Sequence, residues 1–263
     1  MAIICYFYYQ KIKAMTPAKT IDEVISHLDK IINQCVSSKS RIGYFACLYR
    51  KMTIAVQKGI IDGLFHDGTR MEKLDVIFAN RYLAAYYAHS QKTGVTSSWN
   101  AAFKATSQAF TVIQHLLLGM NAHINLDLGI AAAETSKGTN IELLKADFNL
   151  INDIIGSLIN IVQKDLEEIC VPMKMLKYVD NKSKESVINF SITAARNTAW
   201  INAVGLSKVD AQFYNPYIQT LDSKIAMVAD KIINPDFSQS LVLRTIRIFE
   251  PDDVTEIIKF LKD

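Results

Sequence analysis

Residues Thr111 to Glu134 read TVIQHLLLGMNAHINLDLGIAAAE. No proline interrupts them, and leucine, methionine and alanine dominate, all good helix formers. The stretch is apolar on nearly every side, the pattern of a helix buried in the middle of a protein. It nevertheless carries His115, Asn121, His123, Asn125, Asp127 and Glu134. A buried polar group left unpaired costs about 1–3 kcal/mol, and a charged one more. These side chains therefore need partners. The expected fold is all-α, a single-domain multi-helix bundle around this one buried central helix.

Helical spacing sorts the polar groups into rows. His123 and Asp127 are four apart and share a face. Glu134 follows His123 by eleven residues, close to three whole turns, so it is expected to return to that face. His115, eight residues before His123, is placed on the same broad side. Asn121 and Asn125 point the other way and read as helix-to-helix hydrogen-bonding groups. Gly119 costs about 1 kcal/mol against alanine inside a helix, which implies close backbone packing there. The H-x-x-x-D spacing reads as a pair of metal ligands, or as a histidine oriented by a carboxylate. The plainer reading is a buried hydrogen-bonded pair inside a large helical core.

Composition sets the outer bounds. Half of the 263 residues are hydrophobic and the mean hydropathy is +0.12, which allows a large core. Ten glycines and five prolines are few for this length and favour long helices. The net charge of +3 is dispersed, so no nucleic-acid footprint is expected. Cys5, Cys35, Cys47 and Cys170 are scattered without a C-x-x-C. That pattern holds neither a thiolate zinc site nor a disulfide framework, and reduced thiols in a cytoplasmic setting are expected. No unbroken apolar run reaches the ~18 residues of a spanning helix, so no transmembrane segment is expected. The first residues, MAIICYFYYQKIKAM, make a poor signal peptide. Residues 1–19 read as an extension that packs on the body, on a partner or on a membrane surface. No repeat or linker appears, so 1–263 reads as one helical domain.

Taken in order, Thr20 reads as the cap of a first helix that ends near Cys35 to Ser40, and Ser40 as the cap of a second running towards Gly59. Gly59 to Thr69 reads as a turn, with His66 and Asp67 at the rim of a site. The helix Arg70 to Lys92 puts Asp75, Ala79, Tyr82 and Tyr86 on one face with Arg81 beside them. That set reads as a buried ion-pair network, and Asp75 and Arg81 are further site candidates. Ser97 or Ser98 caps the next helix, which carries Trp99. A long helix from Thr139 or Asn140 to about Ile169 places Asn149, Asp153, Gly156 and Asn160 in one row, against the His123/Asp127 face. Arg196 and Trp200 are four apart, so the guanidinium is expected to stack on the indole. Asn215-Pro216 marks a turn before a helix from Ile218 to Ile233. Residues 240–263 read as a C-terminal arm, extended or strand-like over Ser240 to Phe249, then a short helix capped by Asp252 or Asp253.

No dinucleotide-binding glycine motif, P-loop, nucleophile elbow or H-E-x-x-H occurs in the chain. The stretch LLLGMNAHINLDLGIAAAE, with FANRYLAAY upstream and ADFNLIND downstream, resembles a family of bacterial proteins known only as a domain of unknown function. The resemblance runs from about Ile61 to Leu206 and brings no established activity or catalytic residues. LGMNAHINLDLGIAAA is also similar to a helical motif of zinc-dependent phospholipase C and P1 nuclease proteins, in which a histidine and an aspartate four apart bind zinc. That resemblance implies His123 and Asp127 as metal ligands. The chain departs from it where that family has a further histidine after a proline, since Gly129 to Glu134 follow here. The family's N-terminal tryptophan and several metal-binding histidines are missing too. Five histidines leave no room for a trinuclear zinc site, but one or two metals with carboxylates remain open.

Two function classes follow. One is a metal-dependent hydrolase of an unidentified small molecule. In it, His123 and Asp127 bind a divalent metal such as zinc, and Glu134, His115, Asp75 or Arg81 serves as further ligand or catalytic group around an activated water. The other is a non-enzymatic helical binding or scaffold protein in which the His, Asp and Asn groups are structural. A pocket between helices for an apolar small ligand is a third possibility.

Overall fold

The computed structural model describes residues 16–151, 154 and 192–262, all their regular structure is helical, and no strand occurs among them. Helix α1, Ile21–Ser38, begins where the Thr20 hydroxyl accepts the Glu23 amide at 3.2 Å. It ends where Lys39 turns left-handed, with φ 51°. Helices α2 (Ile42–Ile61), α3 (Gly68–Ser90) and α4 (Ser97–Ala105) follow. The chain then breaks, and a capping box between Thr111 and Gln114 starts α5, Val112–Met120. A π-helical segment, Asn121–Asp127, carries α5 directly into α6, Leu128–Thr135. A 3₁₀ turn, Ile141–Leu144, leads into helical residues 145–151. The C-terminal part supplies α7 (Ile192–Lys208), α8 (Ala211–Ile233), α9 (Phe237–Phe249) and α10 (Val254–Lys262).

The rod Val112–Thr135 is a single run of 24 residues, roughly 36 Å long at 1.5 Å per residue. Its length and composition alone would let it cross a membrane, but 83 % of its most apolar window is buried inside the protein, as in a core helix. The burial has a simple cause. Leu116 and Leu118 enter a large apolar cluster with α1–α4 and the C-terminal helices. Leu128, Ala131 and Ala132 enter a second, with Met71, Phe148 and Ala199. Leu126, Ile130 and Ala133 enter a third, with Leu206 and Ile225. A helix that serves three clusters needs apolar residues on all its faces.

Close packing explains the glycines of the rod. A Cβ on Gly119 would lie 2.5 Å from the Phe45 ring. A Cβ on Gly129 would lie 2.8 Å from the Ala199 carbonyl oxygen of α7. That neighbour is backbone, so a whole helix must shift to make room. Gly129→Ala is expected to lower stability by about 1–3 kcal/mol in urea unfolding. A loss under about 0.5 kcal/mol, the range of an ordinary surface change, would contradict the contact.

Carboxylates remote in sequence hold several helix starts. Asp222 of α8 accepts from the Ser97 amide at 2.6 Å and from the Ser98 amide and hydroxyl at 2.9 and 2.7 Å. Glu250 accepts from the Val112 amide at 3.0 and 3.2 Å. Asp147 accepts from the amides of His66 and Asp67 at 2.8 and 2.9 Å. A carboxylate there satisfies free amides and complements the helix dipole.

Several expectations are corrected. Ser240 to Phe249 is not extended but lies in α9, started by the Asp236 carboxylate on the Gln239 amide at 2.9 Å. Leu243 and Ile246 face the core from it, and this packing outweighs the strand propensity of the β-branched residues. Pro216 sits inside α8 rather than in a turn before it. The Arg196 guanidinium lies 4.5 Å over the Phe148 ring, and Trp200 packs against that same ring at 5.1 Å. Of the row expected to face His123, Asp153, Gly156 and Asn160 lie outside the described residues, as do residues 1–15 of the N-terminal extension.

Candidate buried polar centre

The π segment sets the geometry of the centre. The Leu128 amide donates to the His123 carbonyl, five residues back rather than four. Each such turn takes in about one more residue than an α turn, a feature frequent at functional sites. His123 and Asp127 still meet, but the phase beyond them changes. The expected return of Glu134 to their face assumes an unbroken α repeat, which this turn interrupts. Glu134 is half-buried and lies near Tyr214, whose phenol it helps to push up after burial itself.

Asp127 is 1 % exposed and uses both its oxygens. Oδ1 accepts from Arg81 Nε at 2.8 Å. Oδ2 accepts from the Trp99 indole Nε1 at 2.8 Å and lies 3.4 Å from His123 Nδ1. Burial pushes the Asp127 carboxyl up, but Arg81, His123 and Trp99 outweigh it and hold the group below the usual carboxylate range. The centre therefore carries an ionised Asp127 against a charged Arg81, with charge-assisted bonds on both sides. Arg81 pairs with Asp127 across helices, not with Asp75 of its own helix as the network on α3 suggested.

His123 is 2 % exposed and enclosed by rings. Phe78 stacks on it at 3.6 Å and 6°, and Tyr49 meets it edge-on at 4.4 Å. Phe45, Tyr82 and Trp99 complete the enclosure at 5.7–6.0 Å. Burial lowers the imidazole's pKa, more than the Asp127 hydrogen bond raises it, so the ring is neutral at pH 7. With its Nδ1 proton turned to Asp127, Nε2 offers a lone pair. That atom has no partner among the described residues.

Three further buried side-chain atoms of α2 and α3 have no partner among the described residues: Tyr49 Oη and Tyr82 Oη, whose rings lie 4.4 and 6.0 Å from that of His123, and Asp75 Oδ2. Burial, then Glu72, pushes Asp75 up to about 7. Burial, then Asp75 and Asp127, pushes the Tyr49 phenol well above its ordinary range, against a smaller opposing contact with the Thr53 hydroxyl that falls short of a well-formed hydrogen bond. The Asp75 charge thus reaches Tyr49, whose ring lies against His123.

The other expected residues fall elsewhere. His115 lines a separate cavity beside Arg41. His66 Nδ1 lies 2.9 Å from Asp147 with its side chain 76 % exposed, and Asp67 caps α3 through the Arg70 amide at 2.9 Å. Asn121 Nδ2 donates to the Ile225 carbonyl of α8 at 3.0 Å, the interhelical role expected of it, and its Oδ1 accepts from Asn125 within the rod at 2.9 Å. Tyr49, Phe78 and Trp99 were not foreseen as parts of the centre. For Tyr49 the available signal was its spacing of four from Phe45 on one face of α2. Among the described residues no three His, Cys, Asp or Glu side chains gather as metal ligands.

Fold and site together define an all-helical protein whose core encloses a His–Asp–Arg–Trp cluster in an aromatic shell. The chain belongs to the family of unknown function DUF5995, whose model matches residues 21–235. No curated protein and no solved structure matches it.

Proposed function

We propose that the protein binds a small polar molecule at the centre formed by His123, Tyr49 and Asp75, and that the site is set up for proton transfer. The observation that carries this reading is the set of buried polar atoms without partners, His123 Nε2, Tyr49 Oη, Tyr82 Oη and Asp75 Oδ2. Each costs about 1–3 kcal/mol when left unpaired, against a total stability of about 5–15 kcal/mol for a typical domain. A purely structural cluster explains Arg81, Asp127 and Trp99, which bond to one another. It does not explain His123 Nε2, Tyr49 Oη, Tyr82 Oη or Asp75 Oδ2, which await a partner. Asp127 orients the imidazole, Nε2 is the base, and Asp75, protonated up to about neutral pH, is the acid.

The proposal makes the empty polar atoms a functional burden on stability. Tyr49→Phe is expected to raise the unfolding free energy by about 1 kcal/mol, in urea unfolding at pH 7. A loss of similar size would mean that the hydroxyl is already satisfied inside the protein, and would sink the reading.

A metal-assisted hydrolase is the second reading, favoured by one observation. A carboxylate on one imidazole nitrogen leaves the other as a ligating atom, the arrangement that orients metal-bound histidines. Here Asp127 would orient His123 rather than bind the metal, because Arg81 and Trp99 occupy its oxygens. Elemental analysis of the purified protein and a His123→Ala variant separates the two. Stoichiometric zinc, manganese or iron that disappears in the variant supports the metal. A protein whose melting temperature ignores added metal and chelator supports direct acid–base work.

A further inference from the structure

A second polar site lies on the other side of the same aromatic wall. A cavity of about 20 Å³ between α2, α4 and α5 is lined by Arg41, Ile42, Phe45, Trp99, Phe103 and His115. It has room for a water molecule or for the oxygen end of a small acid. Several features around it favour an anion, against one carboxylate outside the lining, Glu250, whose charge reaches Tyr44. Arg41 forms no ion pair among the described residues; its Nη1 donates to the Thr106 carbonyl at 3.1 Å, and the Tyr44 phenol lies beside it. Arg41 and Ile42 stand at the start of α2, a 20-residue helix with no acidic residue in its first turn, so no side-chain charge of that turn offsets the positive end of its dipole, although the amides of Ile42, Gly43 and Tyr44 already have local acceptors. The charges of Arg41 and of Arg247, itself paired with Asp252, both reach His115. No acidic side chain lines the cavity.

His115 points to what is missing. It is 5 % exposed, and neither ring nitrogen makes a well-formed hydrogen bond. The Phe110 carbonyl lies close enough only to favour the charged form slightly, against the stronger effects of burial and Arg41. The imidazole is neutral and keeps one N–H donor unused. Tyr44 and Phe110 hold its ring at 5.8 and 6.1 Å.

We propose that this cavity binds a small carboxylate, with its oxygens against Arg41 and the start of α2 and with His115 as the buried donor. An anion supplies the counter-charge that Arg41 lacks and the acceptor that His115 lacks. The apolar wall of Phe45, Trp99 and Phe103 suits the short carbon part of such an acid. This site does not depend on the chemistry proposed for His123, although Phe45, Tyr82 and Trp99 belong to both surroundings.

The chain has two tryptophans, so Trp200→Phe leaves Trp99, in the cavity wall, as the only reporter. The full chain with this change is titrated with formate and acetate at constant ionic strength, following Trp99 fluorescence and melting temperature. Saturable binding is expected, with no response to the neutral acetamide. Arg41→Gln should weaken acetate roughly tenfold, the size of one charge-assisted hydrogen bond, and Arg41→Lys less. His115→Leu should weaken it too, with the far-UV spectrum of each variant unchanged. N-acetylglycine competing with acetate would assign the site to the carboxylate end of a larger ligand, and its exclusion to free small acids. The proposal is overturned by no saturable response to either acid, by acetamide binding as well as acetate, by undiminished affinity in Arg41→Gln, or by phosphate binding more tightly than the carboxylates.

Discussion

Asp127→Ala is expected to lower the unfolding free energy by about 3–5 kcal/mol, the usual result of removing one partner from a buried ion pair. The size follows from what is left behind. Arg81 Nε and Trp99 Nε1 both lose their acceptor at 2.8 Å, and the guanidinium stays largely buried without a counter-charge. The comparison that isolates this cause is the double variant Asp127→Leu with Arg81→Met. Replacing both members of a buried pair by apolar groups of similar volume is often neutral or stabilising. The double variant should therefore recover much of the loss in urea unfolding. Equal losses in the single and double variants would assign the effect to lost packing instead of an uncompensated charge.

The second large effect depends on pH. Asp75 is pushed from an ordinary 3.8 to about 7 by burial and then by Glu72. Between about pH 4 and pH 7 the folded chain holds a proton there that the unfolded chain has released. Folding at this residue is therefore favoured at low pH, and its contribution is lost as pH rises through about 7. Glu250, raised from 4.5 to about 7 chiefly by burial, acts in the same direction. Other groups oppose them. His115 and His123 are held below their ordinary 6.5, first by burial, so they favour folding more as pH rises towards that value. Asp127 and Asp147 lie below 3.8 despite their burial, and their contributions are lost only in stronger acid. The difference between the wild-type chain and Asp75→Asn removes these shared contributions. Relative to the wild type, Asp75→Asn should gain on the order of 2–4 kcal/mol between pH 4 and pH 8, since each pH unit separating the folded and unfolded ionisations is worth about 1.36 kcal/mol. Urea unfolding at four or five pH values measures it. Parallel curves for the two proteins would show that Asp75 ionises normally in the folded state.

The His123–Asp127 pairing was legible because spacing of four survives even in the π turn. The close packing at Gly119 was legible because glycine is costly inside a helix and needs a neighbour to justify it. The expected place of Glu134 rests on an unbroken α repeat, and the i−5 bond to His123 shifts the phase before Glu134 is reached. His115 was grouped with His123 on the same argument, yet the rings of Phe45, Tyr82 and Trp99 stand between its cavity and the second imidazole. Arg81 was recognised as a member of an ion-pair network. Its partner lay 46 residues away, beyond anything periodicity reports.

The sequence by itself determined the helical architecture and its buried axis. Runs of good helix formers, few glycines and prolines, and an all-round apolar stretch act locally or through simple burial, and both are written in the order of residues. Only the tertiary structure decided the contents of the centre. Tyr49, Phe78, Arg81 and Trp99 come from three helices and meet His123 and Asp127 because those helices pack there. The same holds for the carboxylates of Asp147, Asp222 and Glu250 at distant helix starts. Ser240 to Phe249 shows the physical reason most plainly. Its local preference is for a strand, and it becomes a helix because Asp236 starts one and the core takes Leu243 and Ile246 from its inner face. Local propensity differs by less than about 1 kcal/mol per residue, and burying one large apolar side chain outweighs it.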